Sequence, residues 1–543
     1  MTQNFSRTVG KRSGVQLNEI NDQSEQPSTD TVAHNIAIAG RFPRGRIDKV
    51  FAVSQGRFKR TLGQAVSLAV SALAEPAVHI YESLKAGTVQ AIVSRLIAAG
   101  SVNKLLVATV PGEGASETWS TVTEEAGPTG NFLIALKHLE CFSDGVIAEI
   151  HAHEVKSEGV KVASNIVSIQ LRDVIDNKVI LGPYKGSLDI QALDEFDQSY
   201  YIGDVIAQST DVLEVVEVKQ GAKVPTTATF YGRVNSKDQW ASKKLDYFTE
   251  GEPVYTNDEL DAALDRIKRS RPTFTYLCSG GTESVALISR LLALGKTLNR
   301  QVLWDIPGRL SPEAAATFYA SVGGDTDSLY SHAYWAPLSA QNPVVGGKAI
   351  FGTSGMQAGL RCKRNAQTNA KGIAPRNRPI AGDDYAVTRT NITQVFDLDE
   401  DIDLEVLAES RINPVIFRDY TSGGKYAWVD SLTGAQTEGA SKLIAVAEMA
   451  TYVDDTVAAA AQGFLQKPMA EAITETTKFL ETFFAALQSA GWLQPSAELD
   501  GACYSATVQA NAAQPFEKMN IDYSICYDGT NRVTVVQQNL VKA

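Results

Sequence analysis

An α/β (α+β) fold carrying an inserted, mostly β domain is predicted by three observations. Strand and helix patterns alternate over residues 32–110, and the same alternation returns from about residue 256. Between these two stretches the apolar runs are short, rich in β-branched residues and separated by turns. We therefore divide the chain into an arm at 1–30, a discontinuous α/β core domain at 31–110 and 256–528, an inserted mostly-β domain at 111–255, and a C-terminal arm strand at 529–543.

The first part of the core domain begins with a strand, a turn and a second strand, VAHNIAIAG, FPRG and VFAVS. Residues 62–98 are predicted to be helical in two pieces, because Pro76 and Gly87 interrupt the pattern. Residues 102–110, VNKLLVATV, then form a buried strand that closes this part of the domain.

The second part of the core domain repeats strands and helices. FTYLC and QVLWDIP are predicted strands, and the helix ESVALISRLLALG between them is expected to end with Gly295 at its C-cap. Near the C-terminus one helix is predicted over 441–463, and a second one from Pro468 to Gly491. Apolar residues recur at helical spacing in the second helix, and both are expected to pack in the core.

Both ends of the chain contain a strand pattern with no domain around it. Residues 13–20 alternate apolar and polar side chains inside a polar segment that cannot fold alone. The last segment, 531–543, is a strand pattern that no partner follows in the sequence. A strand of this kind needs a sheet edge supplied from elsewhere. The apolar side chains of the two patterns are Val15, Leu17, Ile20, Val533, Val535 and Val536.

Composition excludes several classes of protein. The chain has 543 residues and a net charge of −12, from 50 basic and 62 acidic side chains. A general nucleic-acid or anionic-membrane binder would carry a positive field instead. No apolar run approaches the ~18–20 residues of a membrane span, and the N-terminus lacks the apolar stretch of a signal peptide. We therefore expect an acidic protein of the cytosol.

The motif with the strongest enzymatic character is Ser279-Gly-Gly-Thr-Glu-Ser284, which follows a strand and precedes a helix. It resembles the SGGxDS loop of ATP pyrophosphatases, in which glycines let backbone N–H groups approach a phosphate. Glu283 replaces the aspartate of that loop, and the loop lies in the middle of the chain. The favoured interpretation is a turn in which Ser279 or Thr282 caps the helix and Glu283 complements its dipole.

Other chemistry-bearing patterns are incomplete. His151 and His153 are spaced to share a strand face but have no obvious third metal ligand nearby. The acidic run 397–405 has Ile402 where a calcium loop needs glycine. The five cysteines form no CxxC pair, which disfavours a disulfide framework or a zinc ribbon. We expect no cofactor, no metal and no catalysis.

A series of short motifs follows in order along most of the chain. It comprises SGVQLNEI (13–20), the segment 32–63, LWDIPGRLSPEAA (303–315), DSLYSHAYWAP (327–337), SGMQAG (354–359) with APRN (374–377), and INP (412–414) with the tryptophan of WVDSLT (428–433). This series resembles the PGVYxxE, GxxxRGP, DxP, SxYxAxYxP, PSGxxAG…APAN and INxI…WGxRTL motifs of the contractile-tail sheath proteins of bacteriophages. Those proteins are similar to the sheaths of R-type pyocins and type VI secretion systems. The matching core positions are Asp305, Pro307, Tyr334, Pro337, Ser354, Gly355, Gly359, Pro375, Asn377, Asn413, Pro414 and Trp428.

The resemblance implies a structural subunit with a sheath-type core domain. Sheath subunits form stacked hexameric rings around a tail tube, and their terminal arms add strands to a neighbour's sheet. Contraction of such a helical assembly drives the tube through the host envelope for genome ejection. The implied partners are other copies of the chain, six per ring, the tail tube protein, and baseplate and tail terminator proteins, without direct nucleic-acid binding or membrane insertion. The implied location is the virion, assembled in the host cytoplasm.

The chain also departs from the family pattern. The WGxRTL motif lacks its glycine and arginine, and the paired arginines of the following helix are missing, which leaves only Lys442. These differences leave open how the subunit would contact a tube. Two alternatives to a sheath subunit are an ATP-pyrophosphatase-like enzyme using Ser279–Ser284 and a non-contractile virion or baseplate component.

Overall fold

A computed structural model of the chain describes residues 34–109, 119–153, 155–157, 160–162, 164–223, 244–270 and 273–539. The described strands are β1 (Ile36–Gly40), β2 (Phe51–Val53), β3 (Ala91–Arg95), β4 (Val102–Asn103), β5 (Leu105–Thr109), β6 (Trp119–Val122), β7 (Phe132–His138), β8 (Ile147–Ala152), β9 (Val155–Ser157), β10 (Val160–Val162), β11 (Ile166–Arg172), β12 (Val179–Ser187), β13 (Leu213–Val218), β14 (Phe248–Thr249), β15 (Tyr276–Cys278), β16 (Gln301–Ile306), β17 (Ser331–Trp335), β18 (Leu338–Gln341), β19 (Lys348–Ile350), β20 (Thr393–Gln394), β21 (Ile412–Tyr420), β22 (Gly423–Trp428), β23 (Tyr504–Ala510) and β24 (Met519–Ile525). The described α-helices are α1 (Phe58–Leu62), α2 (Glu75–Ala86), α3 (Ile202–Ser209), α4 (Asn257–Lys268), α5 (Val285–Leu298), α6 (Pro312–Val322), α7 (Ser354–Asn365), α8 (Asp403–Glu409), α9 (Ile444–Gly463) and α10 (Met469–Ser489).

The central element is an eight-stranded sheet with the order β2-β3-β1-β15-β16-β17-β21-β22. Its six inner strands run parallel, and the edge strands β2 and β22 are antiparallel to their neighbours. Ile38 lies between Val93 of β3 and Cys278 of β15, so strands from both sides of the β-rich stretch meet in this sheet. The predicted α/β class and the discontinuous path of the sheet's strands are therefore observed.

Helices cover both faces of this sheet, which explains why its strands are almost continuously apolar. On one face Leu277 and Trp304 pack in a core with residues of α4, α5 and α6. On the other face Ile38 and Leu303 pack in a core with residues of α2 and α7. Alternate residues of each strand thus enter different cores, as the twofold repeat of a strand requires.

The β-rich stretch forms its own core. Two of its sheets have the orders β13-β7-β5-β6 and β12-β11-β8, and apolar residues of both join one buried cluster. Strand β5 (Leu105–Thr109) pairs with β6 and β7 in the first of these sheets. The strand predicted at 102–110 therefore pairs with strands of the β-rich stretch. The division into domains stays a prediction.

Two predictions about the extent of helices are wrong. Residues 62–98 are not two helices broken at Pro76, because Pro76 lies in the first turn of α2 and 91–95 form the central-sheet strand β3. Proline suits a first helical turn, where its missing N–H removes no helical hydrogen bond. Gly295 does not cap α5, which runs to Leu298 and ends at Asn299 in the left-handed conformation.

The C-terminal helices occur close to the predicted positions, as α9 and α10. They pack on one another and on the two-stranded sheet β23–β24 through a shared apolar cluster. After this hairpin, the described residues 529–539 have no helix or strand assigned. In the part of the chain that the structure describes, no helix combines the length and apolar character needed to cross a bilayer.

Candidate functional site

The motif residues Asp305 and Ser354 meet at the carboxyl edge of the central parallel sheet. Asp305 is the fifth residue of the buried strand β16, and its Oδ1 accepts hydrogen bonds from the backbone N–H groups of Thr353 (2.7 Å) and Ser354 (2.9 Å). These amides open helix α7, where unpaired N–H groups and the helix dipole favour a negative charge. The DxP and SG motifs are therefore two halves of one buried joint.

His79, which the sequence analysis did not single out, completes this joint. Its Nδ1 accepts the N–H of Gly355 at 3.1 Å, and its Nε2 lies 3.2 Å from Glu75 Oε1 and 3.7 Å from Asp305 Oδ2. Glu75 also accepts the N–H of Gly352 at 2.8 Å. Burial raises the pKa of Glu75, although its hydrogen bonds to His79 and Gly352 oppose the rise. The available sequence signal was the Glu75–His79 spacing of four residues on one helix.

A serine beside a histidine suggests nucleophilic catalysis, so the position of Ser354 is informative. Its Oγ lies 3.3 Å from His79 Nδ1, but the residue is fully buried. That nitrogen already accepts the N–H of Gly355. The arrangement holds α7 against α2.

Gly355 and Gly359 let helices α7 and α2 pack in close contact. A Cβ atom at Gly355 would lie 2.4 Å from the carbonyl oxygen of His79, and one at Gly359 would lie 2.5 Å from that of Ser83. Neither distance leaves room for a methyl group. The spacing of four residues puts both glycines on one helix face, so this part of the motif serves helix packing.

Glu448 of α9 is buried within a cluster of charged and polar side chains. Arg364 of α7 binds both of its carboxylate oxygens at 2.8 Å, and Tyr276 of β15 donates its hydroxyl to Oε1. Burial favours the neutral acid, but Arg364 and Arg361 outweigh it and lower the pKa of Glu448 to about 2. The ionised carboxylate therefore joins helix α9 to helix α7 and strand β15.

The motif residue Tyr334 belongs to the neighbouring part of this cluster. Arg361 donates to the Tyr334 hydroxyl and, at 3.0 Å, to Nδ1 of His332. The other ring nitrogen of His332 lies 3.1 Å from the carbonyl oxygen of Leu329. Burial and the adjacent Arg361 lower the pKa of His332 to about 3, so the imidazole is neutral at physiological pH.

Residues of the INP and tryptophan motifs form another buried joint. The Asn413 side chain donates to the carbonyl oxygens of Ala333 (2.9 Å) and Leu432 (2.8 Å) and accepts the N–H of Leu432 (2.6 Å). Trp428 donates its indole N–H to Thr353 Oγ1 at 3.2 Å. Since Thr353 also binds Asp305, this joint contacts the joint of Asp305 and Ser354.

The remaining motif residues do not join these clusters. The carbonyl oxygens of Pro307, Pro337, Pro375 and Pro414 accept the N–H groups of Leu310, Val395, Arg378 and Val429. Asn377 donates to the carbonyl oxygen of Gly491 at 3.1 Å. These residues hold loops and strand ends in place.

The Ser279–Ser284 loop acts as the start of helix α5. Ser284 accepts the N–H of Leu287 and is the N-cap, so the expectation that Ser279 or Thr282 caps the helix is wrong. Ser279 is fully buried, and its Oγ accepts the Asp305 N–H at 3.3 Å. Glu283 forms a bidentate ion pair with Arg309. The side chains of Ser279, Glu283 and Ser284 therefore all have partners within the protein.

The two other sequence patterns also have local partners. His153 lies 2.8 Å from Ser168 Oγ, and His151 lies 3.8 Å from Glu149. Among the described residues there is no group of three or more His, Cys, Asp or Glu side chains placed to hold a metal ion. In the acidic run, Asp399 accepts the backbone N–H groups of two following residues before α8 begins.

The structure describes the predicted arm residues at the C-terminal end of the chain but not those at the N-terminal end. Val15, Leu17 and Ile20 lie outside the described residues. Val533, Val535 and Val536 are 75%, 88% and 86% exposed. Just before them, Arg532 forms a bidentate ion pair with Asp430, with N···O distances of 2.7 and 2.6 Å.

Comparisons with known proteins give structural similarities only. No family model and no curated protein sequence matches the chain. The sheath tail protein of Desulfitobacterium hafniense is 11% identical, with 96% of this chain and 100% of that chain covered and a TM-score of 0.46. A chain of the anti-feeding prophage baseplate in the contracted state is 12% identical, with coverages of 98% and 99% and a TM-score of 0.48. A chain of the PVC sheath complex, an extracellular contractile injection system in the contracted state, is 15% identical, with coverages of 52% and 74% and a TM-score of 0.41. The structures that this chain resembles are thus those of sheath proteins and of sheath and baseplate assemblies.

Proposed function

We propose that this chain is the subunit of a contractile tail sheath of a bacteriophage or a related particle. The subunits would polymerise as stacked hexameric rings around a tail tube and remain linked by exchanged arm strands. Contraction of the helical assembly would then drive the tube through the host envelope. The observation that carries the proposal is the exposed C-terminal segment 533–539, which follows the Arg532–Asp430 ion pair.

This segment has the features of a strand that pairs with another subunit. Its valines are 75–88% exposed, although β-branched residues favour a pleated, half-buried surface. None of its backbone N–H groups donates to the backbone of another described residue. A segment of this kind gains both pairing and burial when it adds to the edge of a sheet in a neighbouring copy.

The same subunit offers a suitable acceptor. In the described structure β23 pairs only with β24, so each strand of this hairpin keeps one edge without a strand neighbour. One face of the hairpin packs on α10, which holds it in place. We propose that an arm of a neighbouring copy pairs at one of these edges, and that the N-terminal arm acts in the same way.

The buried joints support a structural role. Asp305, Ser354 and Asn413 connect strands and helices of the core domain through hydrogen bonds, and Gly359 lets two helices pack closely. We therefore propose a non-enzymatic subunit that uses no cofactor. Its proposed partners are other copies of the chain, a tail tube, and baseplate and terminator proteins, within a particle assembled in the host cytoplasm.

Deletion of residues 533–543 tests this function, because it removes the exposed segment and keeps Arg532 bound to Asp430. We expect the full-length chain to form rings, tubes or helical polymers in negative-stain micrographs. The truncated chain should stay monomeric with an unchanged melting temperature, and deletion of residues 1–25 should act similarly. Normal assembly of both truncated chains would refute the arm exchange. A particle of fixed length would favour the non-contractile virion component instead.

A further inference from the structure

Cys503 and Cys526 lie opposite one another at the base of the β23–β24 hairpin. The strand register pairs Tyr504 with Ile525, which makes the two cysteines the next opposed pair. The N–H of Cys526 donates to the carbonyl oxygen of Cys503 at 3.0 Å, so the ladder continues to this pair. Directly opposed residues of an antiparallel ladder direct their side chains to the same face of the sheet. The two thiols are therefore neighbours, although the sequence separates them widely.

The backbone geometry at this pair permits a disulfide. Directly opposed residues of an antiparallel ladder have Cα atoms about 4.5–5.5 Å apart, and disulfides span Cα separations of about 4.4–6.8 Å. The carbonyl oxygen of Cys526 accepts the N–H of Gln494 at 3.0 Å, which holds this end of the hairpin against the chain that follows α10. The bond would therefore form between strands that are already aligned.

Accessibility distinguishes Cys526 from the other four thiols. Cys526 is half-buried, and Cys503 is buried beside it. The remaining thiols are buried elsewhere, and burial raises the pKa of Cys141 and Cys362 to about 12 and that of Cys278 well above its ordinary value. Because the thiolate is the reactive form, an oxidant would meet the Cys526 sulfur first.

We propose that Cys503 and Cys526 form a redox-dependent disulfide that closes the base of this hairpin when the protein meets a small-molecule disulfide oxidant. The Cys526 thiolate attacks one sulfur of the oxidant and displaces one thiolate from it, which forms a mixed disulfide. The Cys503 thiolate then attacks Cys526 Sγ and displaces the second thiolate. The two cysteines lose two protons and two electrons in total, and the oxidant becomes two thiols.

The bond would connect the two ends of the hairpin directly before the chain continues into its C-terminal segment. It would close the loop 503–526, whose tip carries the 96% exposed Phe516. Disulfides are rare in the reducing cytosol and persist outside it. The proposal does not depend on the sheath function, because it concerns two thiols of one chain.

Tryptic peptides of the full-length protein test the bond. Cleavage after Lys478, Lys518 and Arg532 places Cys503 in peptide 479–518 and Cys526 in peptide 519–532. Native protein is treated with oxidised glutathione, alkylated and digested without reductant. We expect these two peptides to be joined, with a mass two hydrogens below the sum of the two free peptides. Cys141, Cys278 and Cys362 should remain free thiols in the same digest. Cys526→Ser should abolish the joined species, and reductant added before alkylation should separate it.

Three results would overturn the proposal. One is a stable glutathione adduct on Cys526 without joined peptides, and another is full alkylation of both cysteines after oxidation. The third is joined peptides that come from two different copies, which a mixture of ¹⁵N-labelled and unlabelled protein would reveal as heavy–light pairs. Slower hydrogen exchange in β23 and β24 after oxidation, lost in Cys526→Ser, would provide independent support.

Discussion

At the scale of single residues, His332 shows how burial and one neighbour determine a protonation state. Arg361 donates to Nδ1, and the opposite nitrogen faces the Leu329 carbonyl oxygen, which requires a proton on Nε2 alone. A second proton would place two cations in contact inside the core. The neutral imidazole is therefore part of the folded structure.

This state predicts a pH dependence of stability. The folded pKa of about 3 lies below the ordinary 6.5, so between these values the unfolded chain binds a proton that the folded chain excludes. The contribution of the neutral His332 to the free energy of unfolding is complete above pH 6.5. As the pH falls toward 3, this contribution is lost by up to about 1.4 kcal/mol per pH unit. We expect urea midpoints measured from pH 7 to pH 4 to fall less steeply in His332→Gln than in the wild type. Parallel curves for the two proteins would contradict the assignment.

Gly359 is a second residue whose role follows from distance alone. The substitution Gly359→Ala places a methyl group against the Ser83 carbonyl oxygen, and such overpacking costs about 1–3 kcal/mol. Gly463 is the matched control, since it ends α9 and a Cβ there would meet nothing within 4 Å. Thermal melts should show a clear loss for Gly359→Ala and no loss for Gly463→Ala. Equal shifts would show that close packing of α2 and α7 is unimportant.

At the scale of elements, the ion pairs of Glu448 connect helix α9 to helix α7. Glu448→Gln keeps the shape of the side chain but leaves Arg361 and Arg364 buried without a carboxylate. Breaking a buried pair in this way typically costs about 3–5 kcal/mol. We expect a large fall in the urea midpoint and faster hydrogen exchange in α9 and α10.

Glu475→Gln is the comparison for this change, because Glu475 pairs with Lys467 at the surface. Exposed pairs contribute little, so the unfolding midpoint should not change measurably. If both variants lost the same stability, the buried cluster would not be the connection that we describe.

The sequence predicted helices and strands correctly where local patterns determine the secondary structure. It did not do so where contacts with distant segments determine it. The alternation of β1, β15 and β16 with helices was visible because each strand is apolar on both faces. Strand β3 was mistaken for helix, because its role depends on the distant strands between which it inserts. Gly295 was taken for a helix end, yet a Cβ there would lie 2.4 Å from Val302, so close packing on β16 explains the glycine. The joint of His79 with Asp305 could not be inferred, because three separate segments create it.

At the scale of the whole molecule, the C-terminal segment predicts an assembly defect without a folding defect. Val535→Pro removes a backbone N–H that strand addition requires. Because Val535 is 88% exposed, the monomer should melt at the wild-type temperature while sedimentation shows no polymer. Val535→Thr keeps the preference for strand structure and should assemble. Polymers formed by the proline variant would show that this segment is not paired at that position.

The interleaved order of the central sheet has a consequence for synthesis of the chain. Strand β1 lies between β3 and β15, so its second neighbour leaves the ribosome only after the whole β-rich stretch has been made. Domains fold as units during translation, and pairing between distant segments is slow. The β-rich stretch can therefore fold before β15 is available to pair with β1. The nascent chain would keep the apolar faces of those first strands open longest, and a chaperone that acts during translation would have its greatest effect there.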